Sequence, residues 1–154
     1  MHQIIVMLSM FFTISANAGN LEVSVNDAWG KATSPGQDNG IIQFSIVSKN
    51  EAKLVSVSSP VAGTVEIHSM VHEDGMMKMR PVEFIPLPAE KWVDLRKIGD
   101  HVMLLKLKQA LKAGDTIPLT LTIEFPDKHK ITVETQAVIK PRGASQDMHD
   151  MQGM

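Results

Sequence analysis

The sequence predicts an all-β domain, organised as a β-sandwich or Greek-key barrel. From residue 21 onward, short runs alternate apolar and polar residues, as in Ile42, Phe44 and Ile46, and this alternation is typical of strands with one buried face. Gly, Pro, Asn and Asp punctuate these runs at short intervals, and no sustained 3.6-residue period indicates a long helix. With 154 residues, 44% of them hydrophobic, the chain suffices for one domain with a real core.

The alternating runs predict seven or more short strands. Glu73-Asp74-Gly75 is predicted to be a hairpin turn between two of them, and Pro126-Asp127-Lys128 to be another. Ile85-Pro86-Leu87-Pro88 cannot be a central strand, because proline donates no ladder hydrogen bond. The extended segments are 21–25, 42–46, 52–57, 64–70, 76–80, 92–95, 101–107, 119–125 and 131–139.

Charge and composition exclude several classes of function. The formal net charge is −2 and no basic run occurs, so there is no electrostatic case for binding nucleic acid or anionic membranes. The chain has no cysteine, which excludes disulfides, zinc ribbons and thiolate copper sites. No activated nucleophile, paired carboxylates or phosphate-binding glycine loop was found, and we expect a protein that is not an enzyme.

The first 18 residues are predicted to be a signal peptide. Ile4 to Ile14 is mostly apolar, too short to span a bilayer, and Ala16-Asn17-Ala18 has the small-x-small pattern of a cleavage site. Cleavage before Gly19 would leave an exported domain of residues 19–140. An uncleaved anchor is the alternative, because the segment before the apolar run carries no Lys or Arg.

Soft metal-binding side chains are concentrated in one stretch of the chain. Four of them stand out by spacing: ten residues separate His68 from Met79, and 21 separate Met79 from His101-Val102-Met103. Thioether sulfur prefers Cu(I) and imidazole suits copper in either oxidation state, so two histidines with two methionines point to copper. The methionines of this stretch are Met70, Met76, Met77, Met79 and Met103.

Methionine also fills gaps in hydrophobic cores, which is the alternative interpretation of these residues. Strand periodicity argues against it. Alternation puts Val65 and Ile67 on one strand face and His68 on the other, together with Glu66 and Met70. In the same way His101 and Met103 share a face, as do Met77 and Met79.

These residues resemble the signature of the periplasmic copper chaperone family PCu(A)C, whose pattern is H-x10-M-x21-H-x-M. The resemblance implies a cupredoxin-like β-sandwich that binds one Cu(I) through His68, Met79, His101 and Met103. His72 is an additional imidazole nearby, and it leaves open whether another histidine contributes. The likeness extends over Asp27-Ala28-Trp29, Val57-Ser58-Ser59-Pro60-Val61-Ala62, Leu111-Lys112-Ala113-Gly114-Asp115 and Pro118-Leu119-Thr120-Leu121-Thr122.

The resemblance also implies partners and a location. The family delivers copper in the bacterial periplasm towards the binuclear copper centre of cytochrome c oxidase subunit II, often alongside a Sco-type copper protein. We expect a monomer with those partners, with no membrane association in the mature form. Copper buffering, copper resistance, or supply to another cuproenzyme is the alternative. A blue-copper electron carrier would need a Cys ligand, which the chain lacks, and an adhesive sandwich without metal is the remaining alternative.

After residue 140 the composition changes to a polar tail, 141–154, predicted to be flexible. Its soft sulfur and harder nitrogen suit Cu(I) and Cu(II), so the tail is a candidate accessory site that would hold a second copper ion, Cu(II). An inert solvated tail is the alternative. The candidate ligands are Met148, His149, Met151 and Met154.

Overall fold

The computed structural model describes residues 22–143, which form ten strands and one short helix. The all-β prediction is therefore confirmed. The elements are β1 (Val23–Lys31), β2 (Gly40–Ser48), β3 (Ala52–Ser58), β4 (Ala62–Glu73), β5 (Met76–Pro81), β6 (Ile85–Leu87), β7 (Val93–Asp94), α1 (Leu95–Ile98), β8 (His101–Leu107), β9 (Thr116–Glu124) and β10 (Lys130–Lys140).

The strands form one hydrogen-bonded sheet. Its order is β5-β4-β8-β2-β1-β10-β9-β3-β6, and β7 pairs separately with β2. All these pairings are antiparallel except the parallel pair of β1 and β10. The strands β3 and β4 lie far apart in the sheet order yet contact each other, so the sheet folds over on itself. Its two halves enclose one core.

The core consists of the inward residues of the alternating strands. Ile42, Phe44 and Ile46 of β2 are fully buried, as the alternation predicts, and they pack with inward residues of nearly every other strand. Truncating Phe44 to Ala should cost about 3–5 kcal/mol of unfolding free energy, the usual range for a buried aromatic residue. No methionine of residues 22–143 belongs to this buried core. The core-filler interpretation of the methionines is therefore wrong for the described part of the chain.

The predicted hairpin between β4 and β5 is confirmed. Asp74 and Gly75 form its two-residue loop and both have positive φ, 50° and 75°. This is the pattern of the type I′ turn, whose twist matches that of the two strands it joins. The turn thereby fixes the register of β4 against β5.

Two elements show how far local sequence decides the structure. The segment 85–88 forms only the edge strand β6, in agreement with its prolines. The helix α1 was not predicted, since four residues are too few to show a helical period. The Asp94 side chain accepts a hydrogen bond from the Arg96 N–H, and Gly99 ends the helix at φ 79°. This turn delivers the chain directly into β8.

The predicted signal peptide and the predicted tail ligands lie outside the described residues. Within residues 22–143, no helix is long and apolar enough to cross a membrane.

Candidate metal centre

The sheet order makes β5, β4 and β8 neighbours, and these strands carry all four predicted ligands. His68 of β4 lies directly opposite His101 of β8, and Met79 of β5 lies opposite Met70 of β4. Met103 is two residues beyond His101. Directly opposite residues and residues two apart share a sheet face. His68, Met79, His101 and Met103 therefore share one face of the sheet, opposite to the face that carries the core residues Ile67 and Val102.

The two imidazoles are in close proximity. Their ring centroids are 5.3 Å apart and the rings are tilted by 41°. The His101 side chain is buried, with 8% of the residue exposed, and its Nε2 makes no hydrogen bond to the protein. Ser59 Oγ is the other buried polar side-chain atom without a partner among residues 22–143. A buried polar group left unpaired costs about 1–3 kcal/mol, so an unpaired nitrogen at this depth calls for an explanation.

The electrostatics of His101 favour its neutral form. Burial lowers the pKa of His101 below its usual value of 6.5, the neighbouring His68 lowers it further, and Asp100 opposes the shift. Neutral imidazole is the form that binds metals. His101 is thus suited to coordinate an ion at neutral pH without first releasing a proton.

His68 has a carboxylate partner. Its Nε2 lies 2.8 Å from Glu66 Oε2, two residues earlier on the same strand face. Histidine ligands commonly donate one ring N–H to a carboxylate, which fixes the ring orientation and the tautomer. With Nε2 hydrogen-bonded to Glu66, Nδ1 is the ring nitrogen of His68 suited to an ion.

The two methionines are partly accessible. Met79 and Met103 are both of intermediate burial, and neither packs among the core residues. Met79 belongs to β5, which is the edge strand of this half of the sheet. Both methionines are thus partly open to solvent and lie on the same sheet face as the two imidazoles.

Hydrogen bonds fix the beginning of β8 beneath this face. Ser69 donates to Asp100 Oδ1 at 2.5 Å, and the Gln43 side-chain amide donates to the Asp100 carbonyl at 3.3 Å. Val102 and Leu104 anchor the same strand in the core with no exposure. The backbone that carries His101 and Met103 is thereby held on both sides, by β4 and by β2.

The register adds cross-strand neighbours to the strand faces that the sequence predicted. Glu66 lies opposite Met103 as well as beside His68, and His72 lies opposite Met77. Alternation along the strand predicted that Glu66 and His68 share a face, and the structure adds the contact between them. Cross-strand neighbours could not be found in this way, because they depend on the pairing of distant strands. Among residues 22–143, no group of three or more His, Asp and Glu side chains is placed to hold a metal ion.

Comparison with known sequences gives one family and two curated relatives. The family model described as "Putative lipoprotein LpqE-like" matches residues 23–137. A protein of Leifsonia xyli subsp. xyli described as "Putative lipoprotein Lxx21020" is 30% identical over 100 residues, which cover 64% of this chain and 60% of that protein. An uncharacterized protein of Rickettsia prowazekii is 31% identical over 85 residues, or 53% and 47% of the two chains. The matched part is therefore less than two thirds of the length of either relative.

Solved structures share the fold. The Cu(I) form of DR1885 from Deinococcus radiodurans is 31% identical, with a TM-score of 0.61 over 83% of this chain and 85% of that one. Its apo form gives 28% identity and a TM-score of 0.59 over 92% and 97%. The copper-bound PCuAC domain from PmoF2, at 18% identity, has a TM-score of 0.60 over 78% and 93%. These likenesses confirm the predicted cupredoxin-like β fold.

Proposed function

This chain belongs to the LpqE-like family and shares its fold with PCuAC domains, and we propose that it is a copper chaperone binding one Cu(I). The proposed ligands are His68, Met79, His101 and Met103. A neighbour of the same fold at 31% identity has been solved with Cu(I) bound, which supports the choice of ion.

One observation carries the proposal. The His101 Nε2 atom is buried and unpaired on the same sheet face as a second imidazole and two thioethers that the core does not use. A purely structural histidine at this depth would be expected to have a hydrogen-bond partner. A soft cation would satisfy the unpaired nitrogen, and the neighbouring sulfurs match its chemistry.

The donor set suits an ion that must be passed on. Four neutral ligands leave the Cu(I) site with a charge of about +1, and the thioether is a soft but uncharged donor. A thiolate-rich acceptor can then take the ion by replacing one ligand at a time. Met79 is the natural ligand to leave first, because it belongs to the edge strand β5 and is partly exposed.

We further propose that the protein acts in the periplasm, as a monomer, and delivers copper for the binuclear centre of cytochrome c oxidase subunit II, directly or through a Sco-type protein. The lipoprotein-like relatives support export. The chain contains no cysteine, so it has no thiol with which to reduce a disulfide. A Cys-ligated acceptor must therefore be reduced by a separate thiol protein before copper is transferred. On this proposal the protein carries copper and catalyses no reaction.

The test is direct transfer. The Cu(I) form is mixed with the reduced apo domain of subunit II, and separately with a reduced apo Sco-type protein, and copper is measured after the proteins are separated. We expect stoichiometric movement of copper to at least one of these acceptors. If copper moves to neither acceptor but does move to another apo cuproenzyme, the function is copper supply to that enzyme. If the protein retains its copper in every mixture, the function is copper buffering.

A further inference from the structure

The β4–β5 hairpin carries more metal donors than the proposed site uses. Beyond His68, the same face of β4 presents Met70 and then His72. Across the hairpin, Met70 lies opposite Met79 and His72 lies opposite Met77. Between the turn at residues 74–75 and His68, this face thus carries two cross-strand pairs of donors, His72 with Met77 and Met70 with Met79.

These donors have no evident structural task. Met70 is 38% exposed, Met77 is 56% exposed, and His72 is also exposed. None of them belongs to the core or packs against it. The hairpin is instead held by its type I′ turn and by Glu73, which pairs with Arg80 at 3.0 Å and with Lys78 at 3.7 Å. Met70, His72 and Met77 therefore contribute nothing to the packing of the buried core.

The geometry of a hairpin brings these donors within reach of a common ion. Side chains of directly opposite residues have Cβ atoms about 4.5–5.5 Å apart, so His72 and Met77 can converge on one ion. Residues two apart on a strand are separated by roughly 6.5–7 Å, which puts Met70 one step from His72 and one step from His68. Met70 also contacts the chain beside the main site, since a Cβ added at Gly99 would lie 3.3 Å from Met70 Cγ.

We propose that His72 and Met77, with Met70, form a second, solvent-exposed Cu(I) site that receives copper and passes it to the main site. The ion stays Cu(I) throughout: its bonds to His72 and Met77 break as bonds to Met79 and His68 form, and its bond to Met70 then breaks as bonds to His101 and Met103 form. Binding at the hairpin stands independently, whereas the passage of the ion rests on the proposed function. Two or three donors bind Cu(I) more weakly than four, so transfer of the ion from the hairpin site to the main site is favourable.

The hairpin supplies its own control residue. Met76 is 61% exposed and adjacent to Met77, but alternation puts it on the opposite face, with Lys78 and Arg80. A Met76→Leu variant removes an equally exposed thioether from the same turn. It should leave both copper sites unchanged.

The binding test is a titration of the full chain, labelled with 13C at the methionine methyl groups, with Cu(I) kept reduced by ascorbate without oxygen. Individual methyl resonances are assigned by single Met→Leu variants, so every methionine reports separately. The first equivalent should shift the Met79 and Met103 methyls. Further Cu(I) should shift those of Met77 and Met70, and the His72→Gln variant should lose this second response. Unchanged Met77 and Met70 resonances in excess Cu(I) would overturn the hairpin site. Shifts at Met77 and Met70 with none at Met79 and Met103 would instead overturn the proposed main site alone.

The passage test is kinetic. Cu(I) is supplied from a coloured chelator, and loading of the main site is followed by stopped flow. The His72→Gln/Met77→Leu variant should load about tenfold more slowly or worse, because a tethered donor pair no longer raises the ion concentration beside the site. Its final affinity should equal that of the unmodified protein and of Met76→Leu. Equal loading rates in all three proteins would refute the relay.

Discussion

Replacing His101 by Leu should separate the stability of the protein from its copper binding. The buried, unpaired Nε2 of His101 costs the apo fold about 1–3 kcal/mol, and a leucine at this position removes that cost. Leucine differs in shape from histidine, and the imperfect packing that results lowers the unfolding free energy by up to about 1.5 kcal/mol. The apo variant is therefore expected to lie between about 0.5 kcal/mol less stable and about 3 kcal/mol more stable than the unmodified protein, with a gain of about 1–2 kcal/mol near the middle of this range. In a domain near this size, that gain raises Tm by roughly 2–8 °C.

With Cu(I) bound, the unmodified protein should become more stable than His101→Leu. At a free Cu(I) concentration 100 times the Kd, the unmodified protein gains about 2.7 kcal/mol, whereas a variant that has lost a ligand gains far less. Thermal and urea unfolding with and without Cu(I) would measure both effects, and competition with a Cu(I) chelator would give the affinity. His129, exposed and paired with Asp127 away from the sheet face of the site, provides the control. The variant His129→Leu should retain full copper affinity.

The reasoning would be refuted by the opposite pattern. If His101→Leu destabilises the apo protein by several kcal/mol and retains its Cu(I) affinity, then His101 is a structural residue and not a ligand.

Three further outcomes follow from the same site. Replacing Met79 or Met103 by Ile should weaken Cu(I) binding at least about tenfold and change the unfolding free energy by less than about 1.5 kcal/mol, because the apolar volume is kept. The control variant Met76→Ile should change neither quantity. If the Met79 and Met103 variants unfold, these two methionines are packing residues. The unfolding free energy of the apo protein should be highest above pH 6.5 and should fall as the pH drops from 6.5 to the lowered pKa of His101, because the unfolded chain takes up that proton first. Urea unfolding at a series of pH values should show that the unfolding free energy of His101→Leu changes less with pH in this window. An equal change in both proteins would assign the pH dependence to other groups. Truncation after Gly143 should remove a weaker Cu(II) site and leave the main Cu(I) affinity intact, and identical Cu(II) stoichiometry by titration would show that the tail is inert.

Local patterns in the sequence predicted the strand faces correctly, because alternation acts over neighbouring residues. The alternation around His68 correctly assigned it to the face opposite Ile67, and the Asp74-Gly75 pair correctly predicted the hairpin turn. The short helix α1 was not predicted, because its start depends on a single capping contact of Asp94.

The contacts that build the candidate site could not be predicted from local patterns. His68 and His101 are opposite one another only because β4 pairs with β8, and nothing in either strand alone specifies its partner. The burial of His101 likewise depends on how the sheet assembles around it. Alternation put Glu66 and Met70 on the face of His68, and the register adds that Glu66 lies opposite Met103 and Met70 opposite Met79.

The most direct test of the central claim is X-ray absorption at the copper edge on the Cu(I) form of the exported protein, with one ion bound. We expect a first coordination shell of two nitrogen and two sulfur donors, from His68, His101, Met79 and Met103. Loss of one sulfur in Met103→Ile would identify that ligand. A first shell made only of nitrogen and oxygen would contradict the account.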